Sequence, residues 1–93
     1  MNRTLFKSKA FVRASKRLVR RDADSAAALA EMLSLLERDA FDPRLRTHKL
    51  AGDLEGCWAA SAGYDLRVVF RFIEHEGTAA ILLLGAGSHD EVY

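Results

Sequence analysis

The chain has 93 residues, 49% of them apolar and 29% charged, which is enough for one domain with a single modest core and too few for two. A net charge of +1 excludes a uniformly basic or acidic protein, yet residues 1–21 hold eight Lys or Arg and no acid, leaving the remainder at −7. That gradient suits a polyanion or an acidic partner, or it reflects solvated element faces.

Arg3 to Lys7, with Leu5 and Phe6, reads as a short strand ahead of Ser8, a fitting N-cap. A helix then runs to about Arg21. Phe11, Val12, Ala14 or Ser15, Leu18 and Val19 recur at helical spacing on one side, and Lys9, Arg13, Lys16 and Arg20 step along another. Asp22 and Asp24 end the basic run and cap a second helix, Ser25 to about Arg38. Its predicted buried stripe is Leu29, Met32, Leu33 and Leu36, and its alanines permit close packing. The short link predicts an antiparallel helix hairpin.

Asp42-Pro43 breaks the helical pattern, and the chain to Gly56 reads as a polar loop, basic at Arg44, Arg46 and Lys49, with a brief strand near His48. Strands are predicted at Cys57 to Ala62, Tyr64 to Glu74 and Ala79 to Leu84, with turns at Gly63 and at His75-Glu76-Gly77-Thr78, making a meander of two hairpins. Cys57 has no partner for an internal disulfide and reads as a small strand hydrophobe. No basic start leads into an apolar run and cleavage site, so a reducing cytoplasm is the expected setting. The longest apolar run, residues 79–87, falls well short of the ~20 residues that span a membrane. The predicted class is α+β: an N-terminal antiparallel helix hairpin packed on a small antiparallel sheet, as one domain over residues 1–93.

Alternation along the strand from Tyr64 sends Tyr64, Leu66, Val68, Phe70 and Phe72 toward the helices, and Asp65, Arg67, Val69, Arg71 and Ile73 to the other face. Two guanidinium groups and an acid on an apolar strand predict a wet, cationic sheet face that meets solvent, a carboxylate or a phosphate. His48 and His89 lie near strand ends, where sites collect, although a lone histidine is more often a surface or satisfied core residue. His75 reads as a turn residue. Asp65 is either a base or orienter, or a surface ion-pair partner of Arg67. Trp58 reads first as packing and second as a stacking surface for a base. Gly85-Ala86-Gly87 precedes no predicted helix and lacks the rest of a dinucleotide fingerprint, no phosphate-loop lysine follows any glycine, and the histidines and Cys57 match no compact zinc spacing. Neither a nucleotide cofactor nor a metal is expected.

The order and spacing of His48-Lys49-Leu50-Ala51-Gly52, Gly56-Cys57-Trp58, Asp65-Leu66-Arg67-Val68-Val69-Phe70 and Ser88-His89-Asp90-Glu91-Val92-Tyr93 resemble the RelE/ParE toxin superfamily over essentially the whole chain, closest to its YafQ-like branch. The resemblance implies the RelE-like fold and a bacterial type II toxin, neutralised by a cognate antitoxin, that enters the ribosomal A site. There it would cut messenger RNA without metal or small-molecule cofactor, and without a membrane partner. It places catalytic groups at His48, Asp65 and His89, with His89 as general acid and His48 or Asp65 as base. For that chemistry, RNA and phosphate contacts are expected at Arg67, Arg71, Lys49, Arg46 and Tyr93, and the basic helix face at Lys9, Arg13, Lys16 and Arg20 is the expected ribosome- or antitoxin-docking surface. The sequence departs from the YafQ-like pattern at Ser61, where that pattern has a histidine, and at Leu66, where it has a tryptophan. Ser61 is no acid or base near neutral pH, so activity is weakened, rerouted through groups such as Tyr93, or absent. The alternatives on the same scaffold are a ParE-like toxin that binds gyrase without catalysis and a degenerate toxin that only binds its antitoxin.

Overall fold

In the computed structural model, which describes residues 2–63 and 65–93, Thr4–Lys7 forms β1 and Ser8 converts the chain to helix. The Ser8 hydroxyl accepts the Phe11 N–H at 3.1 Å, satisfying one of the open donors of α1 (Lys9–Arg21). Asp22 then serves two helices. Its N–H closes α1 on the Leu18 carbonyl, and its carboxylate accepts from the Asp24 N–H and the Ser25 hydroxyl to open α2 (Ala23–Arg38). The second helix therefore starts two residues before the expected Ser25, because Asp22 alone is the cap.

Among the described residues the sheet has five strands in the order β1-β5-β4-β3-β2, with β2 at His48–Lys49, β3 at Trp58–Ala62, β4 at Leu66–His75 and β5 at Thr78–Gly87. The β3-β4-β5 meander is as predicted. The sheet is not purely antiparallel, however: β1 pairs parallel with β5, Leu5 against Ile81 and Phe6 against Leu82. The helix hairpin is the crossover that carries the chain from one edge, and β1 docks on the strand formed last. The β4–β5 turn has positive φ at both Glu76 and Gly77, the geometry of a two-residue hairpin whose twist matches the strands. Two short 3₁₀ turns, Pro43–Leu45 and Gly52–Leu54, flank β2 in the segment read as loop. The strand start and inward ring expected at Tyr64 lie outside the described residues.

Phe11 and Leu18 of α1 and Leu29, Met32 and Leu36 of α2 pack against Ala60, Val68, Phe70, Ile81 and Leu83 to form the core. Leu35 joins it, Leu33 is only partly buried, and Val19, expected inside, is 59% exposed. The sheet covers a narrower stripe of α1 than the apolar spacing suggests. A register shift between Val69 and Phe70 leaves Leu84 out of the β4–β5 pairing. This bulge keeps Leu83 and Ile81 in the core and Gly85 and Gly87 on the opposite face. After β5 comes an element that the sequence reading excluded: Gly87 leads through Ser88 into a short helix, α3 (His89–Val92). No helix among the described residues is long and apolar enough to cross a membrane.

Candidate functional site

The pleat of β4 sorts its side chains as expected, with Leu66, Val68 and Phe70 buried toward the helices and Arg67, Val69, Arg71 and Ile73 on the outer face. Register then builds a row across that face. Ser61 of β3 and Gly87 of β5 both stand opposite Arg67. His48 stands opposite Ala59, so it shares the face and lies one diagonal from Ser61, about 7–8 Å between backbones. The face is not uniformly wet. Cys57, Ala59 and Val69 at its middle are buried, and Leu54 and Val92 line one cleft with Val69.

At the end of the sheet Asp65, His89, Tyr93 and Arg67 come together. Asp65, just before β4, accepts the His89 backbone N–H on its carboxylate at 3.2 Å. The His89 ring meets the Tyr93 ring edge-on with centroids 4.6 Å apart, and His89 Nδ1 lies 3.5 Å from the Asp90 carboxylate. Burial pushes the Tyr93 phenol above its ordinary pKa, and the Arg67 guanidinium pulls it the other way. The phenol thus stays protonated near neutral pH and can donate a hydrogen bond. The half-buried Arg67 spends one donor on the Leu66 carbonyl at 3.2 Å. Four donors remain for an anion.

His48 is exposed on β2, with Nδ1 3.0 Å from the Arg46 carbonyl. A carbonyl only accepts, so Nδ1 carries the proton and Nε2 of the neutral ring presents a lone pair. Arg46, in the left-handed region at φ 51°, supplies that carbonyl through its backbone.

Other expected site residues fall elsewhere. Arg71 shares the outer face but lies beyond the buried Val69 and packs over Gly56, where a β-carbon would stand 3.1 Å from its Nη2. Lys49 leaves the site altogether: it pairs with Trp58 in register, and its ammonium sits 5.5 Å over the Trp58 ring on the helix-facing side. Trp58 packs edge-on against Phe41 and Phe72 rather than facing the His48–Arg67 row. Lys9, Arg13, Lys16 and Arg20 all lie exposed along α1. Ser61 is 8% exposed and supplies a hydroxyl where an ionisable group was in question. Among the described residues no cluster of three or more His, Cys, Asp or Glu side chains is arranged to hold a metal ion.

The residues that the sequence reading missed are Glu91 and Arg21. Ser88 and Glu91 form a capping box: the Glu91 carboxylate accepts the Ser88 N–H at 2.8 Å, and the Ser88 hydroxyl accepts the Glu91 N–H at 3.3 Å. Arg21 grips the same carboxylate with both terminal nitrogens, at 3.1 and 3.3 Å. These bonds hold the Glu91 carboxyl down to about 2, with Arg21 the larger cause. The S-x-x-E spacing at Ser88 was the available signal.

No protein-family model and no curated protein matches the chain. Solved structures do. A YoeB/ParE toxin from Agrobacterium tumefaciens superposes with a TM-score of 0.77 at 17% identity, covering 92% of this chain and 98% of that one. YafQ from E. coli superposes with a TM-score of 0.77 at 16% identity, covering 98% of each chain. The RelBE2 toxin–antitoxin complex of Mycobacterium tuberculosis matches with a TM-score of 0.73 at 19% identity, over 96% of this chain and 100% of that one. At such identities the likeness lies in the backbone: the chain has the fold of the RelE/ParE toxin superfamily, shared with YafQ, YoeB and RelE toxins.

Proposed function

We propose that this chain is the toxin of a type II toxin–antitoxin pair and acts as a ribosome-dependent mRNA endoribonuclease. The observation that carries the reading is the convergence of His89, Asp65, Tyr93 and Arg67 at one end of the outer face, with His48 on the neighbouring edge strand and Ser61 between. The fold supports it, since similar chains include toxins solved with their antitoxins.

Strand scission needs three things that these side chains offer. His48 Nε2, held as an acceptor by the Arg46 carbonyl, takes the proton from a ribose 2′-hydroxyl as its oxygen attacks the adjacent phosphorus. Arg67 offers fixed positive charge to the phosphoryl oxygens. His89 gives a proton to the departing 5′-oxygen, leaving a 2′,3′-cyclic phosphate and a 5′-hydroxyl. Asp65, engaged by the His89 amide, is the anchor of the acid rather than the base. A cognate antitoxin, the ribosome and mRNA are the partners, and the cytoplasm is the compartment.

Ser61 favours a second reading, a degenerate toxin that binds its antitoxin and does not cleave. One experiment separates the two: induce the chain in growing bacteria and map new mRNA 5′ ends beside a His89→Ala control. In-frame cuts within translated codons that disappear in the control are expected. Normal growth without cuts would establish the degenerate reading, and arrest without cuts would move the target to a protein such as gyrase.

A further inference from the structure

The helix that carries His89 and ends at Tyr93 rests on β4 and β5 without burying any of its own residues. It lies between a cleft of about 610 Å³, bordered by Asp65, Gly87 and Ser88, and one of about 300 Å³, bordered by Val69, Glu91 and Val92. A single turn of helix is far below the length that stands alone in water. Besides the contact of Val92 with the cleft, polar ties hold it from three places: its own Ser88–Glu91 box, the Asp65 carboxylate on the His89 amide, and the Arg21 guanidinium on Glu91.

The Arg21 contact is built into α1. Ala10, Ala14, Arg17 and Arg21 follow the four-three-four spacing of one helical stripe, and the first three line the same cleft as Glu91 and Val92. Small residues in its earlier turns let the C-terminal segment approach, and its last turn ends in the fork that takes the carboxylate. Gly87 completes the fit: a β-carbon there would come within 2.9 Å of Glu91 Oε1 and 3.0 Å of its Cβ. The carboxylate seats itself only because Gly87 has no side chain.

We infer that Arg21 and Glu91 are positioning residues, an ion-pair clamp from the end of α1 that sets His89 and Tyr93 beside Arg67 for phosphate chemistry. This role rests on the endoribonuclease reading for its consequence, though not for its geometry. Exposed ion pairs add little to global stability, so loss of the clamp frees the terminal turn while the domain stays folded.

The test compares wild type with Arg21→Met, Arg21→Lys, Glu91→Gln and the Arg21→Met/Glu91→Gln double variant by two independent readouts. In NMR spectra of the purified chain, Arg21→Met removes the ring-current shift that Tyr93 imposes on His89 and the exchange protection of the His89 amide, with the melting temperature nearly unchanged. Arg21→Lys recovers part of both. Glu91→Gln keeps an oxygen for the cap and loses only the charge, so it acts in the same direction, and the double variant adds nothing further. In ribosome-programmed cleavage, the same variants lose roughly tenfold in rate at saturating ribosomes with little change in the half-saturating concentration. An unchanged His89–Tyr93 contact and unchanged amide protection in both Arg21→Met and Glu91→Gln would overturn the clamp. Loss of that contact in the two variants, beside a wild-type chain that keeps it and never cleaves, would instead uphold the clamp and overturn the endoribonuclease reading.

Discussion

At the scale of single residues, the site was legible where a side chain's chemistry is rare and illegible where its role is set by a backbone contact. His48, Asp65, Arg67 and His89 stand out in sequence, and register and turns bring Asp65, Arg67 and His89 to one end of the outer face, with His48 on the edge strand of the same face. That Asp65 holds the His89 amide, or that the Arg46 carbonyl fixes the tautomer of His48, depends on contacts that no spacing rule encodes. Lys49 stands apart from His48 because the edge strand turns alternate residues to opposite faces, so the neighbour of an outward His48 points to Trp58. These contacts divide base from anchor by experiment. Asparagine at 65 keeps an oxygen for the His89 amide, so Asp65→Asn retains cleavage within about tenfold of wild type, whereas Asp65→Leu loses the anchor and the rate. His48→Gln, which removes a proton acceptor of suitable basicity, lowers the rate by roughly 10²–10⁴. Single-turnover cleavage measures both, and a fall for Asp65→Asn as deep as that for His48→Gln would return the base role to Asp65.

At the scale of elements, helices and hairpins were readable from periodicity and caps, because Ser8, Asp22, Gly63 and the Glu76-Gly77 pair each perform a local task. What escaped was non-local or too short to have a period. The parallel register of β1 is decided by β5, more than seventy residues later, and α3 is a single turn. That turn has its own pH dependence. Glu91 is faced by Arg21 from α1 and by the Ser88 N–H and hydroxyl. Beside it, Asp65 reaches the turn from just before β4, and His89 and Asp90 are titratable neighbours on the turn itself. Its folded carboxyl lies at about 2 against an ordinary 4.5, so the clamp's stabilisation is complete above 4.5 and is lost as pH falls toward 2. Amide exchange at Ser88 and His89 therefore accelerates across that window before the β3-β4-β5 core opens. Protection that stays constant down to pH 2 would show that Glu91 does not govern the turn.

At the scale of the whole molecule, the charge gradient seen in sequence becomes geometry. Of the basic side chains on α1, Arg21 is tied to Glu91, Arg17 borders the cleft beside Val92, and Lys9, Arg13, Lys16 and Arg20 remain on the exposed surface. The buried stripe Phe11, Ala14 and Leu18 is separate from these four, so neutralising them leaves the core intact. If the four contact ribosomal RNA phosphates, replacing all of them with glutamine releases fewer counterions on binding. The slope of log affinity against log salt then becomes shallower by roughly 3, with the melting temperature close to wild type. Ribosome sedimentation across a salt series reads this directly. The same variant tested against the cognate antitoxin decides what else uses the face: affinity lost for the antitoxin alone makes it a protein-docking surface. Loss for both makes it a shared surface, on which the antitoxin excludes the ribosome by occupying charges that the toxin needs to bind RNA.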